Sequence, residues 1–409
     1  MLKRFTLILL LCFIIVNSTS CGTNDNDDLS ENEYVIMLSI DGFRWDYADR
    51  VKTPNLDYIE SQGVKAEYIE PAFPSKTFPN HYTMATGLHP DNHGIVDNNF
   101  YCPQLDATYR LGDQESIMNP DFYGGEPIWV TAEKQDMTSA SYFWVGSEAP
   151  IKGTQPTYWK EYDTSIPFED RIDTVITWLE LPKEQRPQFI TLYFHEPDRA
   201  GHTYGPDHEE IDKMVAYMDT LIGDLMNKID NFPPEYNINL IVTSDHGMTE
   251  VTPERYVDLT QYVDRDWFER THGGNPLLNL QPKEEYADTI YNTLKPVENI
   301  SIWKKEEIPE RFNYGSNPRV MDMIVLADST WSVGWGEPTG SYYQGGAHGW
   351  DYEKRDMHTI FYAIGPKFKE NHLHPPFSVI DLYPLISHIL DLEPAEVDGK
   401  IENTIDMLE

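Results

Sequence analysis

Tyr34-Val35-Ile36-Met37-Leu38-Ser39-Ile40 is an almost unbroken apolar run that ends on Asp41-Gly42, a carboxylate and a turn residue. A strand with one wet face alternates apolar and polar side chains. A short run without that alternation reads as a strand covered on both faces, as in a parallel sheet. Phe189-Ile190-Thr191-Leu192-Tyr193-Phe194, Leu240-Ile241-Val242-Thr243 and Thr359-Ile360-Phe361-Tyr362-Ala363-Ile364 have the same character. Residues 207–230 predict an amphipathic helix. Asp207 and Glu210 make a capping-box-like start, and Ile211, Met214, Val215, Met218, Leu221, Ile222, Leu225 and Ile229 form one apolar face. Residues 378–390 predict a second helix, with Pro384 tolerable only near its start. Strands alternating with helices predict an α/β fold with a mostly parallel central sheet and helices on both faces. Ligands gather beyond the carboxyl ends of such strands. The residues to read are therefore Asp41, Glu196 with Asp198, and Asp245 with His246.

The chain has 409 residues, 68 acidic and 31 basic, for a net charge of -37. That suits solubility and argues against binding duplex nucleic acid, which needs a basic stripe. It also means that an anionic substrate would require a strongly positive local site. At the N-terminus, Lys3 and Arg4 precede an apolar run from Phe5 to Val16, then Ser18-Thr19-Ser20-Cys21. Residues 1–20 read as a secretory signal, too short to span a bilayer with flanks. Cys21 stands where a bacterial lipoprotein is lipidated. Residues 21–32 read as a polar tether and 33–409 as a single domain with inserted loops. The expected location is outside the cytoplasm, lipid-anchored to a bacterial membrane, periplasmic or at the cell surface. With Cys12 in the signal and Cys21 lipidated, Cys102 has no partner for an intrachain disulfide.

Asp198 and His202 are four apart, a spacing that lets both side chains leave one side of a helical turn. Asp245 and His246 are adjacent at a strand end, where Gly247 eases a turn. His348 lies in the glycine-lined loop Gly345-Gly346-Ala347-His348-Gly349. Singly, each histidine reads as a surface or hydrogen-bonded residue and each aspartate as a loop cap. Jointly, three aspartates and three histidines at strand ends form a ligand set for two zinc-like ions. Pro74-Ser75-Lys76-Thr77-Phe78-Pro79 leads into a predicted helix, so Thr77 is either its N-cap or a hydroxyl presented at an anion-favouring helix N-terminus.

In order and close to their spacing, these motifs resemble the ectonucleotide pyrophosphatase/phosphodiesterase family of the alkaline phosphatase superfamily. The likeness rests on Asp41, the segment around Thr77, Gly94-Ile95-Val96-Asp97-Asn98, Glu196-Pro197-Asp198 with Gly201-His202, Ser244-Asp245-His246-Gly247-Met248, and Gly346-Ala347-His348-Gly349. It runs from about Glu33 to about Asp398. The resemblance implies an alkaline-phosphatase-like three-layer sandwich, with one zinc on Asp198, His202 and His348. A second zinc would sit on Asp41, Asp245 and His246, with Thr77 as its fourth ligand and as the nucleophile. It further implies Asn98 as an amide donor to a phosphoryl oxygen, and Phe78 with Tyr158 or Trp159 as walls of a base-stacking slot. His195 departs from the family pattern, which carries a second acidic residue before Glu196.

The expected activity is cleavage of phosphodiester or pyrophosphate bonds, with nucleotides as substrates and a phosphothreonine intermediate. The rival readings are a lipid-headgroup phosphodiesterase, acting on lysophospholipids or glycerophosphodiesters, a phosphomonoesterase, and a non-catalytic surface binding lipoprotein; a sulfatase would need a modifiable Cys or Ser where Thr77 stands. No arginine stands near Thr77 or Asn98 in sequence to clamp the dianion of a phosphomonoester.

Overall fold

The structure, a computed structural model, describes residues 33–339 and 343–409. The expected signal, the tether and Cys21 lie outside the described residues.

The opening run forms β1 (Glu33–Ile40), buried along its whole length. Its side chains split between two cores. Val35 and Met37 pack on one face of the sheet, and Tyr34, Ile36, Leu38 and Ile40 on the other. Burial on both faces is why the sequence shows no alternation. The other strands of this sheet are β2 (Val64–Ala66), β3 (Ser139–Tyr142), β4 (Tyr158–Lys160), β5 (Phe189–Phe194), β6 (Asn237–Thr243), β7 (Phe361–Ile364) and β8 (His372–His374). They run in the order β8-β2-β7-β6-β1-β5-β3-β4. β1 pairs in parallel with both β5 and β6, β3 with β5, and β4 with β3. β7 departs from the expected parallel direction, because it is antiparallel to β6. The chain enters it from the end of the sheet where the parallel strands finish, so it has to run back.

Helices cover both faces. α1 (Pro54–Gln62), α3 (Phe168–Leu179) and α5 (Glu209–Ile229) pack on one side. α2 (Thr77–Thr86) and α6 (Leu382–Ile389) pack on the other. α4 (Asp198–Tyr204) directly follows β5. The long helix starts two residues later than its sequence suggests. His208, not Asp207, caps it by accepting from Glu210 N–H. Asp207 instead pairs with Arg44 and Arg50, each at 2.9 Å. The segment expected as one helix over 378–390 begins with a tighter turn at Val379–Asp381, capped reciprocally by Ser378 and Asp381. Pro384 then falls in the first turn of α6, where its missing N–H costs nothing.

The stretch between β6 and β7 is more than inserted loops. Phe268–Gly274, Leu277–Pro282, Met323–Ala327 and Ile300–Lys304 make a second, antiparallel sheet with its own apolar cluster around Leu280, Ile290 and Val325. Among the described residues no helix is long and apolar enough to cross a membrane.

Candidate active site

β6, β1 and β5 are neighbours and end at the same edge of the sheet. Asp245-His246, Asp41 and Glu196-Pro197-Asp198 are therefore delivered side by side. The junction is tight. Asp41 N–H donates to Phe194 O (2.9 Å), and Asp198 N–H donates to Asp41 O (3.0 Å). Gly42 sits at φ +68°, and a Cβ there would lie 2.9 Å from Asp198 Cα. Only glycine meets both demands. Gly247 serves differently from a turn. A Cβ on it would lie 2.0 Å from Asp356 O, so its bare backbone admits the neighbouring loop. His348 arrives from 100 residues further on, at the end of Gly345–Ala347, which pairs antiparallel with Thr249–Val251 just past Asp245-His246.

The six predicted donors form two groups, Asp41 with Asp245 and His246, and Asp198 with His202 and His348. Within them, His246 Nε2 lies 3.4 Å from Asp41 Oδ1 and 3.0 Å from Asp245 Oδ2. Asp198 Oδ1 lies 3.4 Å from His202 Nε2 and 3.6 Å from His348 Nε2. In all three histidines Nδ1 is engaged by a backbone carbonyl: Gly247 O at 2.9 Å, Gly346 O at 2.8 Å and Ser75 O at 3.0 Å. Donation from Nδ1 leaves Nε2 with a lone pair facing inward. Asp41 Oδ1, Asp198 Oδ1 and Asp245 Oδ2 are buried without a hydrogen-bond partner. A buried carboxylate oxygen left unpaired is costly. Three of them converging with three imidazole lone pairs fit two divalent cations of the kind that take oxygen and nitrogen donors.

The electrostatics carry the same message. Burial, then the charges of Asp245 and Asp198, push the Asp41 carboxyl well above its usual range. Burial also opposes ionisation of Asp245, but His246 and His81 outweigh it and hold this group well below. Burial, with His246 and His202 beside it, keeps His348 well below the ordinary imidazole range. These groups conflict with one another until positive charge stands between them.

Thr77 is the first residue of α2, preceded by Lys76 as the N-cap. It is therefore not the cap, and its Oγ1 is free to lie 3.1 Å from His246 Nε2. Asn98 Oδ1 accepts from Phe78 N–H at 2.9 Å, which leaves its amide nitrogen for the cavity that both residues line. Lys76 holds the two segments together through a buried ion pair to Asp97 at 2.8 Å.

The cavity has a volume of about 300 Å³. Phe78 and Tyr162 line it, with Leu111 and Ile117 nearby. Tyr158 and Trp159, expected as the second wall, do not line it. They lie in β4 at the sheet edge, where the Tyr158 ring stacks on Trp178 (6.1 Å between centroids) and its hydroxyl donates to Gln185 O (3.0 Å). Tyr162, two residues past the end of β4 at Lys160, is the aromatic of this segment that lines it.

Residues 35–351 match the family described as type I phosphodiesterase / nucleotide pyrophosphatase. The chain belongs to this family. The human ectonucleotide pyrophosphatase/phosphodiesterase family member 5 is 35% identical over 380 residues, which cover 92% of this chain and 78% of that protein. A venom phosphodiesterase of Crotalus durissus collilineatus is 38% identical over 379 residues, 90% of this chain. The chain spans about 46% of that relative's length. The solved murine ectonucleotide pyrophosphatase/phosphodiesterase 5 superposes with a TM-score of 0.88 at 35% identity, over 92% of this chain and all of that one. An inactive threonine-to-alanine variant of it, in complex with AMP, superposes at 0.87. The fold is thus the α/β architecture of the alkaline phosphatase superfamily.

In this family member two further residues, His81 and Tyr193, reach the site without having been singled out from the sequence. His81 stands one helical turn after Thr77, with Nδ1 bonded to Thr77 O (2.9 Å) and Nε2 to Ser39 Oγ (2.9 Å). Tyr193 donates to Asp41 Oδ2 at 2.5 Å. The i,i+4 spacing of Thr77 and His81 was a readable signal. The Tyr193 contact depends on which strands are neighbours.

Proposed function

We propose that this protein hydrolyses phosphodiester and pyrophosphate bonds of nucleotides, using two zinc ions and Thr77 as the nucleophile. The observation that carries this is Thr77 Oγ1 at a helix N-terminus, 3.1 Å from His246 Nε2, beside two convergent donor groups. Asp41, Asp245 and His246 would hold one ion, with Thr77 as fourth ligand, and Asp198, His202 and His348 the other. When bound, the pair supplies positive charge for the phosphoryl oxygens and acidifies the nucleophile's hydroxyl.

The chain's own residues do the rest. The N-terminus of α2 aims its positive end at the phosphoryl group. The Asn98 amide donates to a phosphoryl oxygen as charge grows there. The Thr77 oxygen forms a bond to phosphorus, and the bond to the leaving oxygen breaks with its electron pair. The hydroxyl proton passes to solvent, and water then hydrolyses the phosphothreonine ester. His81 fixes the carbonyl of Thr77 and so the direction of its hydroxyl. The AMP complex of the murine relative and the aromatic pair Phe78 and Tyr162 favour a nucleotide over a choline or glycerol diester, which would leave those rings unused.

The test is to follow hydrolysis of a nitrophenyl ester of a nucleoside monophosphate by wild type, Thr77→Ala and Thr77→Ser. We expect Thr77→Ala to lose nearly all turnover while still binding the ions. Thr77→Ser should retain part, and quenched wild type should carry the phosphoryl group on Thr77. A phosphoryl group trapped elsewhere, or full turnover in Thr77→Ala, refutes the assignment.

A further inference from the structure

One buried side chain connects the two donor groups and is used by no step above. Met248 follows His246 by two residues and is 1% exposed. It leads into Thr249–Val251, where Thr249 pairs with Ala347, so Met248 and His348 stand at the same end of that ribbon. Its side chain packs against two glycines. A Cβ on Gly201 would lie 2.8 Å from Met248 Cε, and one on Gly346 would lie 2.8 Å from Sδ and 2.9 Å from Cγ. The thioether thus fills the space that both glycines leave. Methionine suits such a slot because it is unbranched and follows an irregular gap. Both glycines belong to the second donor group. Gly201 directly precedes His202, and Gly346, two residues before His348, presents its carbonyl to His202 Nδ1 at 2.8 Å.

Arg44 holds the methionine's main chain. It is buried, three residues past Asp41. Its Nη1 donates to Met248 O at 3.2 Å. Nε and Nη2 donate to Asp46 at 2.6 and 3.1 Å, and Nη2 also donates to Asp207 at 2.9 Å, five residues past His202. The two carboxylates fix the plane of the guanidinium, and the guanidinium fixes the carbonyl. In a close-packed interior, the position of the thioether is then passed on to Gly201 and Gly346.

We propose that Met248, braced by Arg44, is a positioning residue for the ion held by Asp198, His202 and His348, although in the chain it adjoins the other group. This rests on the two-ion reading above. The thioether sets how far the backbone at Gly201 stands from the carbonyl of Gly346. That spacing decides whether His202 Nδ1 meets its carbonyl, and so where Nε2 points. The first group is independent of it. Asp41 and Asp245-His246 lie just past strand ends, and His246 Nδ1 is engaged by Gly247 O, before the chain reaches Met248. Without the thioether, two glycine backbones face a void that neither has a side chain to fill.

The experiment is calorimetric titration of chelator-dialysed protein with zinc, in wild type, Met248→Ala, Met248→Leu, Gly201→Ala and the double variant of Met248→Ala with Gly201→Ala. We expect Met248→Ala to weaken one of the two zinc-binding steps roughly 10- to 100-fold, the size seen when the support of a metal ligand is removed, and to leave the other step unchanged. Met248→Leu should recover part of the loss, since it refills volume but branches at Cγ, against Gly346. Gly201→Ala alone should weaken the same step, because its methyl collides with Met248 Cε. In the double variant that methyl enters the vacated space, so the combined loss should be smaller than the two single losses multiplied. Added to His202→Ala, which already lacks the supported ligand, Met248→Ala should weaken the remaining ion no further. Should Met248→Ala not fold, Met248→Leu carries the same test. Two steps as tight as in wild type, or both weakened equally, would refute the proposal, as would single losses that simply multiply. Wild type that takes up no zinc would overturn the two-ion reading, and this proposal with it.

Discussion

Phe78 and Tyr162 show how differently two residues of one cleft are encoded. Phe78 adjoins Thr77 in the chain, so whatever positions the nucleophile positions its ring. Tyr162 is 84 residues later, two past the end of an edge strand, and lines the cavity from the loop that follows. Strand residues Tyr158 and Trp159 looked equally apt because an aromatic's chemistry is legible in sequence and its direction is not. If Phe78 and Tyr162 sandwich a base, either one truncated to alanine should lower kcat/KM for a nucleoside ester by about 1–3 kcal/mol of stacking. The same changes should cost less on methyl nitrophenyl phosphate, which has no base. Trp159→Ala should leave the ratio between the two substrates as it is. Equal losses on both substrates in Phe78→Ala and Tyr162→Ala would show that the rings merely support the nucleophile.

The element that carries the nucleophile, α2, is anchored at its far end by a histidine buried neutral. His93 Nδ1 accepts from Ile95 N–H (3.1 Å), and Nε2 partners Thr83 Oγ1 on α2 (3.0 Å). A second ring proton would break the first of these bonds. Burial accordingly lowers the His93 pKa to about 3, whereas an unfolded histidine titrates near 6.5. Below about pH 6.5 the unfolded chain takes up the proton first. The stabilisation is therefore whole above that pH and lost as pH falls toward 3, by about 1.4 kcal/mol per unit. Denaturant unfolding at pH 7 and pH 5 should show wild type losing more stability than His93→Gln over the same interval. A difference between the two proteins that does not change with pH would refute it. At this scale the sequence announced the strands and the long helix through their apolar patterns. It missed the second sheet, although Leu277-Leu278-Asn279-Leu280 and Met323-Ile324-Val325-Leu326 are themselves strand-like runs. The direction of β7 was also out of reach, since apolar runs are the same read either way.

At the scale of the molecule, an acidic protein holds three buried, unpartnered carboxylate oxygens at one edge of its main sheet. Without cations those groups oppose the fold that brings them together. With cations, binding adds to folding stability by mass action. Dialysis against a strong chelator should abolish hydrolysis and lower the melting temperature by roughly 5 °C or more. Zinc added back should restore both, with about two ions per chain by elemental analysis, as the two donor groups imply. A chelated protein that melts and turns over as before would remove the metals from the account.

What the sequence by itself determined is the chemistry on offer. It supplied strands covered on both faces, carboxylates and histidines at their ends, and a threonine leading a helix. These are local facts, set by residue type and by spacing within one element. The tertiary structure decided which of them meet. β6, β1 and β5 are neighbours, so Asp245, Asp41 and Asp198 share one edge, and the ribbon of Gly345–Ala347 swings His348 in from 100 residues away. The same assembly chose Tyr162 over Tyr158. Such choices depend on strand order and on the path of the chain between elements, which many long-range contacts fix together and no single stretch of sequence encodes.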